Sequence, residues 1–133
     1  MKVLVDTSVW SLALRRRAPL DQPEVHELRS LIDEDRVAMI GPVRQELLSG
    51  IRSESSFARL REHLRGFEDE RLTSGDYELA AEYFNRCRAQ GIQGSNTDFL
   101  ICAAAGRRQF PILTTDDDFV RFAEVLPVAI HGR

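Results

Sequence analysis

Lysine is almost missing from this chain: Lys2 is the only one among 133 residues, and every other basic side chain apart from three histidines is arginine. Cysteine is nearly as scarce. Cys87 and Cys102 stand alone, without a second Cys or His at zinc-finger spacing, so a structural zinc site is not expected. Two isolated thiols in a chain without a leader read as reduced, small buried residues. No apolar run approaches the roughly 20 residues that a membrane-spanning helix needs. The opening Met1-Lys2-Val3-Leu4-Val5-Asp6 is too short an apolar run for a signal peptide. The expectation is a cytoplasmic protein with no membrane contact. There is no P-loop and no Gly-x-Gly-x-x-Gly, which argues against a nucleotide cofactor. His26, His63 and His131 are scattered and suggest no catalytic triad; the first two read as solvated helix residues.

What is present suits a single globular domain over residues 1–133, with 43% hydrophobic and 29% charged residues. A net charge of −3 does not favour gripping nucleic acid through bulk positive potential. Local arginine groups nevertheless occur at Arg15-Arg16-Arg17, Arg59/Arg61/Arg65, Arg86/Arg88 and Arg107-Arg108. Guanidinium forks suit phosphate bidentately, so a basic rim is compatible with an acidic total. Most of these arginines are read as solvated helix faces.

Short β-branched stretches alternate with helical ones. Strands are expected at Val3-Leu4-Val5, at residues 37–40, at residues 112–114 and at residues 128–130, with a weaker one within residues 67–72. The first helix starts at Thr7 or Ser8 and carries Val9, Trp10 and Leu12. A second begins near Pro23, with Val25, Leu28, Leu31 and Ile32 at helical spacing. Further helices cover residues 42–50 and 54–65, a stretch capped by Ser74 or Asp76 and ended by Gly91, residues 98–108, and residues 117–123. Inward positions are Leu79 and Tyr83, with Ala80 and Phe84 beside them. The alternation implies an α/β fold, a three-layer α/β/α sandwich with a mainly parallel central sheet. In such sheets functional residues gather at the carboxyl ends of the strands.

Four acids sit where an apolar stretch hands over to a helix: Asp6, Glu46, Asp98 and Asp116. Asp6 follows the first strand, and Thr7 and Ser8 can cap the next helix in its place. Glu46 shares a helical face with Val43 and Gly50, which with Leu47 form an inward stripe, so it is expected at or inside the packed side. Asp98 heads a stripe of Ile101, Cys102 and Ala105, with Asn96 or Thr97 available as cap. Asp116 begins a run of three acids with Asp117 and Asp118, and spacing does not select among them. Carboxylates brought together repel and raise one another's pKa. A hard divalent cation such as Mg²⁺ or Mn²⁺ resolves that conflict, and is the start of a phosphodiester-cleaving mechanism.

The chain resembles the PIN-domain ribonucleases, most closely the VapC-type toxins of bacterial type II toxin–antitoxin pairs. The resemblance spans nearly the full length through Val5-Asp6-Thr7-Ser8-Val9-Trp10, residues 42–50, residues 96–105, and Leu113-Thr114-Thr115-Asp116-Asp117-Asp118-Phe119. Cys102 stands where the family often has another small residue. The resemblance implies a PIN-like fold and a metal-dependent endoribonuclease whose acidic quartet falls on Asp6, Glu46, Asp98 and Asp116. Asp6, Asp98 and Asp116 would hold Mg²⁺ or Mn²⁺, and Glu46 would bind through water or orient the nucleophile. Supporting roles fall to Asp118, Thr114 and Thr7 or Ser8. The implied substrate is RNA, with single-stranded loops of tRNA, rRNA or mRNA as targets. The implied partners are a cognate antitoxin and a second copy of the chain, with the helices after the second strand forming a clip.

Three other readings compete. One is a catalytically silent PIN-like module that binds RNA or protein. A receiver-type phosphotransfer domain needs a lysine late in the chain, and none is there. A haloacid-dehalogenase-like phosphatase needs a second Asp two residues after the first, where Ser8 stands.

Overall fold

The computed structural model describes residues 1–15 and 17–132. The short strand β1 (Val3–Val5) is the centre of the sheet, flanked by β2 (Val37–Ala38) and β3 (Ile112–Leu113) in the order β2-β1-β3. Both pairings are parallel: Val3 lies opposite Val37, and Val5 opposite Leu113. All three residues of β1 are buried, as expected of a parallel strand covered on both faces. Parallel neighbours need crossovers, which the helices supply: α1 (Thr7–Ala13) and α2 (Pro23–Asp33) join β1 to β2. Between β2 and β3 run α3 (Gly41–Leu48), α4 (Glu54–Leu64), α5 (Ser74–Ala89) and α6 (Asn96–Arg108), and α7 (Asp118–Val125) follows β3.

Two expected strands shrink to single pairings. Residues 67–72 contribute only the bridge of Met39 with Asp69, and residues 128–130 only that of Ile112 with Ile130. Both lie at the outer edges of the sheet, where a strand has one neighbour and little to hold it flat. The second strand is likewise shorter than residues 37–40, because Ile40 already stands at the N-cap of α3.

One core joins the sheet to Trp10, Leu28, Leu31, Leu64, Tyr83, Cys87, Phe119 and Phe122. The α6 helix is its axis, with every residue from Phe99 to Ala105 buried, Cys102 included. Small residues at 103–105 let α5 approach closely. Both cysteines are free and buried, and burial pushes their thiols above the ordinary range. Ile32, expected on the inward stripe of α2, is exposed: Val25, Leu28 and Leu31 fill the buried face, and Ile32 falls one step past it. No helix is long and apolar enough to cross a membrane among the described residues.

Gly50 and Gly91 follow α3 and α5 with φ of 84° and 76°, the left-handed geometry that lets a chain turn off a helix at no steric cost. Gly94 answers a different demand. A Cβ there would meet the Phe122 ring at 2.6 Å, so only glycine lets this turn lie on the core.

Candidate active site

The chain leaves β1 at Asp6, which stands at the N-cap of α1 with its side chain turned to its neighbours. Its Oδ2 accepts hydrogen bonds from the hydroxyls of Ser8, at 2.7 Å, and Thr114, at 2.9 Å. Ser8 Oγ in turn accepts from the Thr115 amide, and Thr114 Oγ1 from the Asp116 amide. These bonds tie the loop after β1 to the loop after β3. The parallel register of β1 and β3 makes this possible by ending both strands at the same edge. Asp6 is only 4% exposed, and burial raises its pKa against the opposing effect of the Ser8 and Thr114 hydroxyls.

Asp98 comes from the first turn of α6. Its Oδ2 accepts from the Ser95 amide at 3.0 Å while Ser95 Oγ accepts from the Asp98 amide at 3.1 Å, a reciprocal capping box. The helix therefore begins at Asn96 with Ser95 as cap, in place of Asn96 or Thr97. Ile101, Cys102 and Ala105 are buried as the stripe expected, and Asp98 itself is half-buried. Burial raises its pKa first, and the charges of Asp6 and Asp116 raise it further. The charges of Asp6 and Asp116 thus both reach Asp98.

The acids after β3 have separate fates. Asp117 is exposed, Asp118 pairs with Arg121, and Asp116 is half-buried with Oδ1 accepting the Asp118 amide at 2.9 Å. That bond ties Asp116 to the start of α7, which begins at Asp118 rather than at residue 117 and has Asp117 at its N-cap.

Glu46 departs from expectation. Val43 and Leu47 are buried, but Glu46 and Gly50 are exposed. Residues 43 and 47 are four apart and define the core stripe, which leaves position 46 on its flank. From there Glu46 Oε1 accepts from Thr7 Oγ1 at 2.8 Å, so α3 is joined to the first turn of α1. Thr7 and Ser8 thus divide the supporting contacts, Thr7 serving Glu46 and Ser8 serving Asp6.

None of Asp6, Glu46, Asp98 and Asp116 has a cationic side chain within ion-pair distance among the described residues. Asp76 shows the contrast. Its side chain is fully covered, yet Arg108 reaches it at 2.7 Å and Arg107 at 3.1 Å, and the Arg108 bond leads in holding its carboxyl far below the usual range. A buried acid kept for structure is paired here; the acids at the sheet's edge are not. The pair was not legible in the sequence, where most of the arginine groups, Arg107-Arg108 among them, read as solvated helix faces and Ser74 or Asp76 as the cap. The cap of α5 is Thr73, with Asp76 closing the box from three residues on. The pattern Thr73-Ser74-Gly75-Asp76, like Ser95-Asn96-Thr97-Asp98, was the available signal. Arg44 is also committed, to Leu64 O and to Asp69. Arg16, of the Arg15–Arg17 group, lies outside the described residues.

Hard oxygen donors that lack cations among the described residues, one of them, Asp98, disfavoured as an anion by burial and by the charges of Asp6 and Asp116, fit Mg²⁺ or Mn²⁺ by chemistry. They do not form a ready cage: among the described residues no three Asp, Glu, His or Cys side chains are gathered into a metal-holding group. One oxygen of each acid is committed, Asp6 to two hydroxyls, Asp98 and Asp116 to the amides of their own helix starts.

The family model for the PIN domain matches residues 3–125. Ribonuclease VapC11 of Mycobacterium tuberculosis is 30% identical over 127 residues, which is 92% of either chain. Among solved structures, FitAcB from Neisseria gonorrhoeae superposes with a TM-score of 0.75 at 23% identity, over 96% of this chain and 95% of that one. VapBC2 from Rickettsia felis, solved bound to a promoter DNA fragment, gives 0.74 at 17% identity, over 98% and 96%. At these identities the solved structures establish the fold.

Proposed function

Since the chain belongs to the PIN domain family, we propose that it is a metal-dependent endoribonuclease, the toxin of a type II toxin–antitoxin pair. The observation that carries the reading is the group of acids at the carboxyl edge of the sheet. Asp6, Asp98 and Asp116 lack cationic partners among the described residues, and Asp98 is disfavoured as an anion first by burial and then by the charges of the other two. Bound there, Mg²⁺ or Mn²⁺ would lower the pKa of a water and neutralise charge developing on the scissile phosphate.

The chain's own residues do the positioning. Ser8 and Thr114 fix Asp6 by one oxygen and leave its carboxylate plane constrained. Asp98 and Asp116 approach from two helix starts, where backbone amides stabilise their charge. Glu46, steadied by Thr7, faces solvent, where it can orient the attacking water or bind the ion through water. Asp118, beside Asp116, completes the acidic edge. RNA would enter with a scissile phosphate over these acids, in single-stranded loops of tRNA, rRNA or mRNA. Hydrolysis would leave a 5′-phosphate and a 3′-hydroxyl.

The relatives' names and titles support a cognate antitoxin as partner, and we extend the proposal to a cytoplasmic homodimer with α3 and α4 as the clip. Purified protein should cleave RNA with Mg²⁺ or Mn²⁺, lose cleavage in EDTA, and fall to background as Asp6→Asn. Cleavage that survives both EDTA and Asp6→Asn would sink the metal mechanism. The missing ready-made cage favours one alternative, a catalytically silent PIN-like module for RNA or protein. In that case Mn²⁺ neither raises the melting temperature nor supports cleavage of any RNA.

A further inference from the structure

The carboxyl edge of the sheet holds a second concavity that the metal reading leaves unused. A cavity of about 230 Å³ is lined by Pro23, Glu24 and Glu27 from α2, by Leu113 and Thr114 at the end of β3, and by His131. Thr114 belongs to both places: it lines the cavity, and its buried hydroxyl holds Asp6 Oδ2 at 2.9 Å. The cavity therefore adjoins the acids. Glu24 and Glu27 lie three apart, on one face of α2, and both are half-buried, whereas His26 and Arg29 nearby are exposed. His131 Nε2 stands 3.1 Å from Glu27 Oε1. That position follows from the bridge of Ile130 to Ile112 and the bond from the His131 amide to Ile112 O, at 2.8 Å. Glu24 has no cation within ion-pair distance among the described residues. Pro23 and Leu113 contribute apolar wall.

We propose that this cavity is a nucleobase subsite that receives a guanine of the RNA strand running past Asp6. The inference rests on the ribonuclease reading and adds a determinant of sequence choice to it. Two carboxylates in the wall repel phosphate, so the backbone is turned away and a neutral base is admitted. A carboxylate accepts from N1–H and N2–H of guanine side by side. Uracil would set carbonyl oxygens against it, an unpaired polar contact that acts as rejection. Splayed bases of single-stranded RNA are read in this way, by apolar contact on the ring and hydrogen bonds on the edge. The Glu27–His131 pair holds one carboxylate in place and closes the far wall.

Guanosine, which carries no phosphate, tests the cavity apart from cleavage. Titrated into metal-free protein, it should give saturable NMR shifts at His131 and at the Leu113 and Thr114 amides. Uridine should not, and the response should be lost in the double variant Glu24→Gln/Glu27→Gln, whose remaining amide spectrum reports an intact fold. On single-stranded RNA, Glu24→Gln should raise KM for guanine-containing sites by about tenfold, with kcat little changed. No saturable shift, equal shifts from uridine, or an unaltered guanine preference in Glu24→Gln would overturn the subsite. Shifts from N-acetylarginine amide but not guanosine would also overturn it, and assign the cavity to a basic side chain of a protein partner. Guanosine binding without any RNA cleavage would instead reject the ribonuclease reading.

Discussion

Asp6 and Asp76 are both acids with almost no exposed surface, and their opposite treatment is informative. Asp76 is matched by two guanidiniums; Asp6 meets two hydroxyls and no cation among the described residues. Asp76→Asn should cost about 2–4 kcal/mol, because Arg107 and Arg108 lose their shared anion, and urea unfolding would measure it. The depressed Asp76 pKa means that the native state holds this proton less tightly than the unfolded chain. Its stabilisation is present above the ordinary 3.8 and fades as pH falls below it. Asp6 and Asp98 carry the opposite sign. With raised pKa values the metal-free native state binds protons to higher pH than the unfolded chain, so stability falls as pH rises from 3.8 through the raised values. Asp98→Asn keeps an oxygen for the Ser95 cap and removes the charge. It should therefore raise the melting temperature of metal-free protein at pH 7 and remove the stabilisation by Mn²⁺, both read by calorimetry. Thr114→Val deletes one donor to Asp6 with little change of shape, and should weaken metal binding or activity by about 10–100-fold. The buried indole Nε1 of Trp10 has no hydrogen-bond partner among the described residues, and nothing there explains it.

At the level of elements, the site depends on how helices begin. Asp98 is held by a capping box, Asp116 accepts the first amide of α7, and Asp6 stands at the N-cap of α1. Ser95→Ala should cost about 1 kcal/mol by denaturant unfolding. It leaves the Ser95 amide on Asp98 Oδ2 but strips the Asp98 amide of its acceptor, and by loosening the helix start it should weaken Mn²⁺ binding measured by calorimetric titration, an effect that a cap of purely structural value would not have. Gly94→Ala drives a methyl against Phe122 and Phe99 and should cost about 1–3 kcal/mol. The helical periodicities were legible where the buried face was wide, as in α6. They misled in α3, a helix of 8 residues, because three and four residues along are both neighbours and only the packing partner decides which is inside. Edge strands were overread for a related reason: β-branched composition marks strand preference, and a single neighbour does not sustain a strand.

Across the whole molecule, the four acids come from segments separated by up to 110 positions, and one core holds those segments together. Partial unfolding of any layer would scatter the site. Unfolding should therefore be a single transition, with Trp10 fluorescence and far-UV circular dichroism coincident. Mn²⁺ should move that entire transition upward in wild type and leave Asp6→Asn in place. Separate transitions for the two probes would show that α5 and α6 fold apart from the sheet.

The order of elements, the parallel sheet and the placing of Asp6 after a strand and Asp98 at a helix start were determined by the sequence itself. Strand–helix alternation and acids at strand ends are local patterns, written in neighbouring residues. Tertiary structure decided what those patterns leave open: the half-burial of Asp116 beside an exposed Asp117, Ser8 for Asp6 and Thr7 for Glu46, the exposure of Glu46, and the capture of Arg107 and Arg108 by Asp76. Each of these is settled by a partner many positions away, and hydrogen bonding and charge pairing depend on distance in space, which local spacing does not contain.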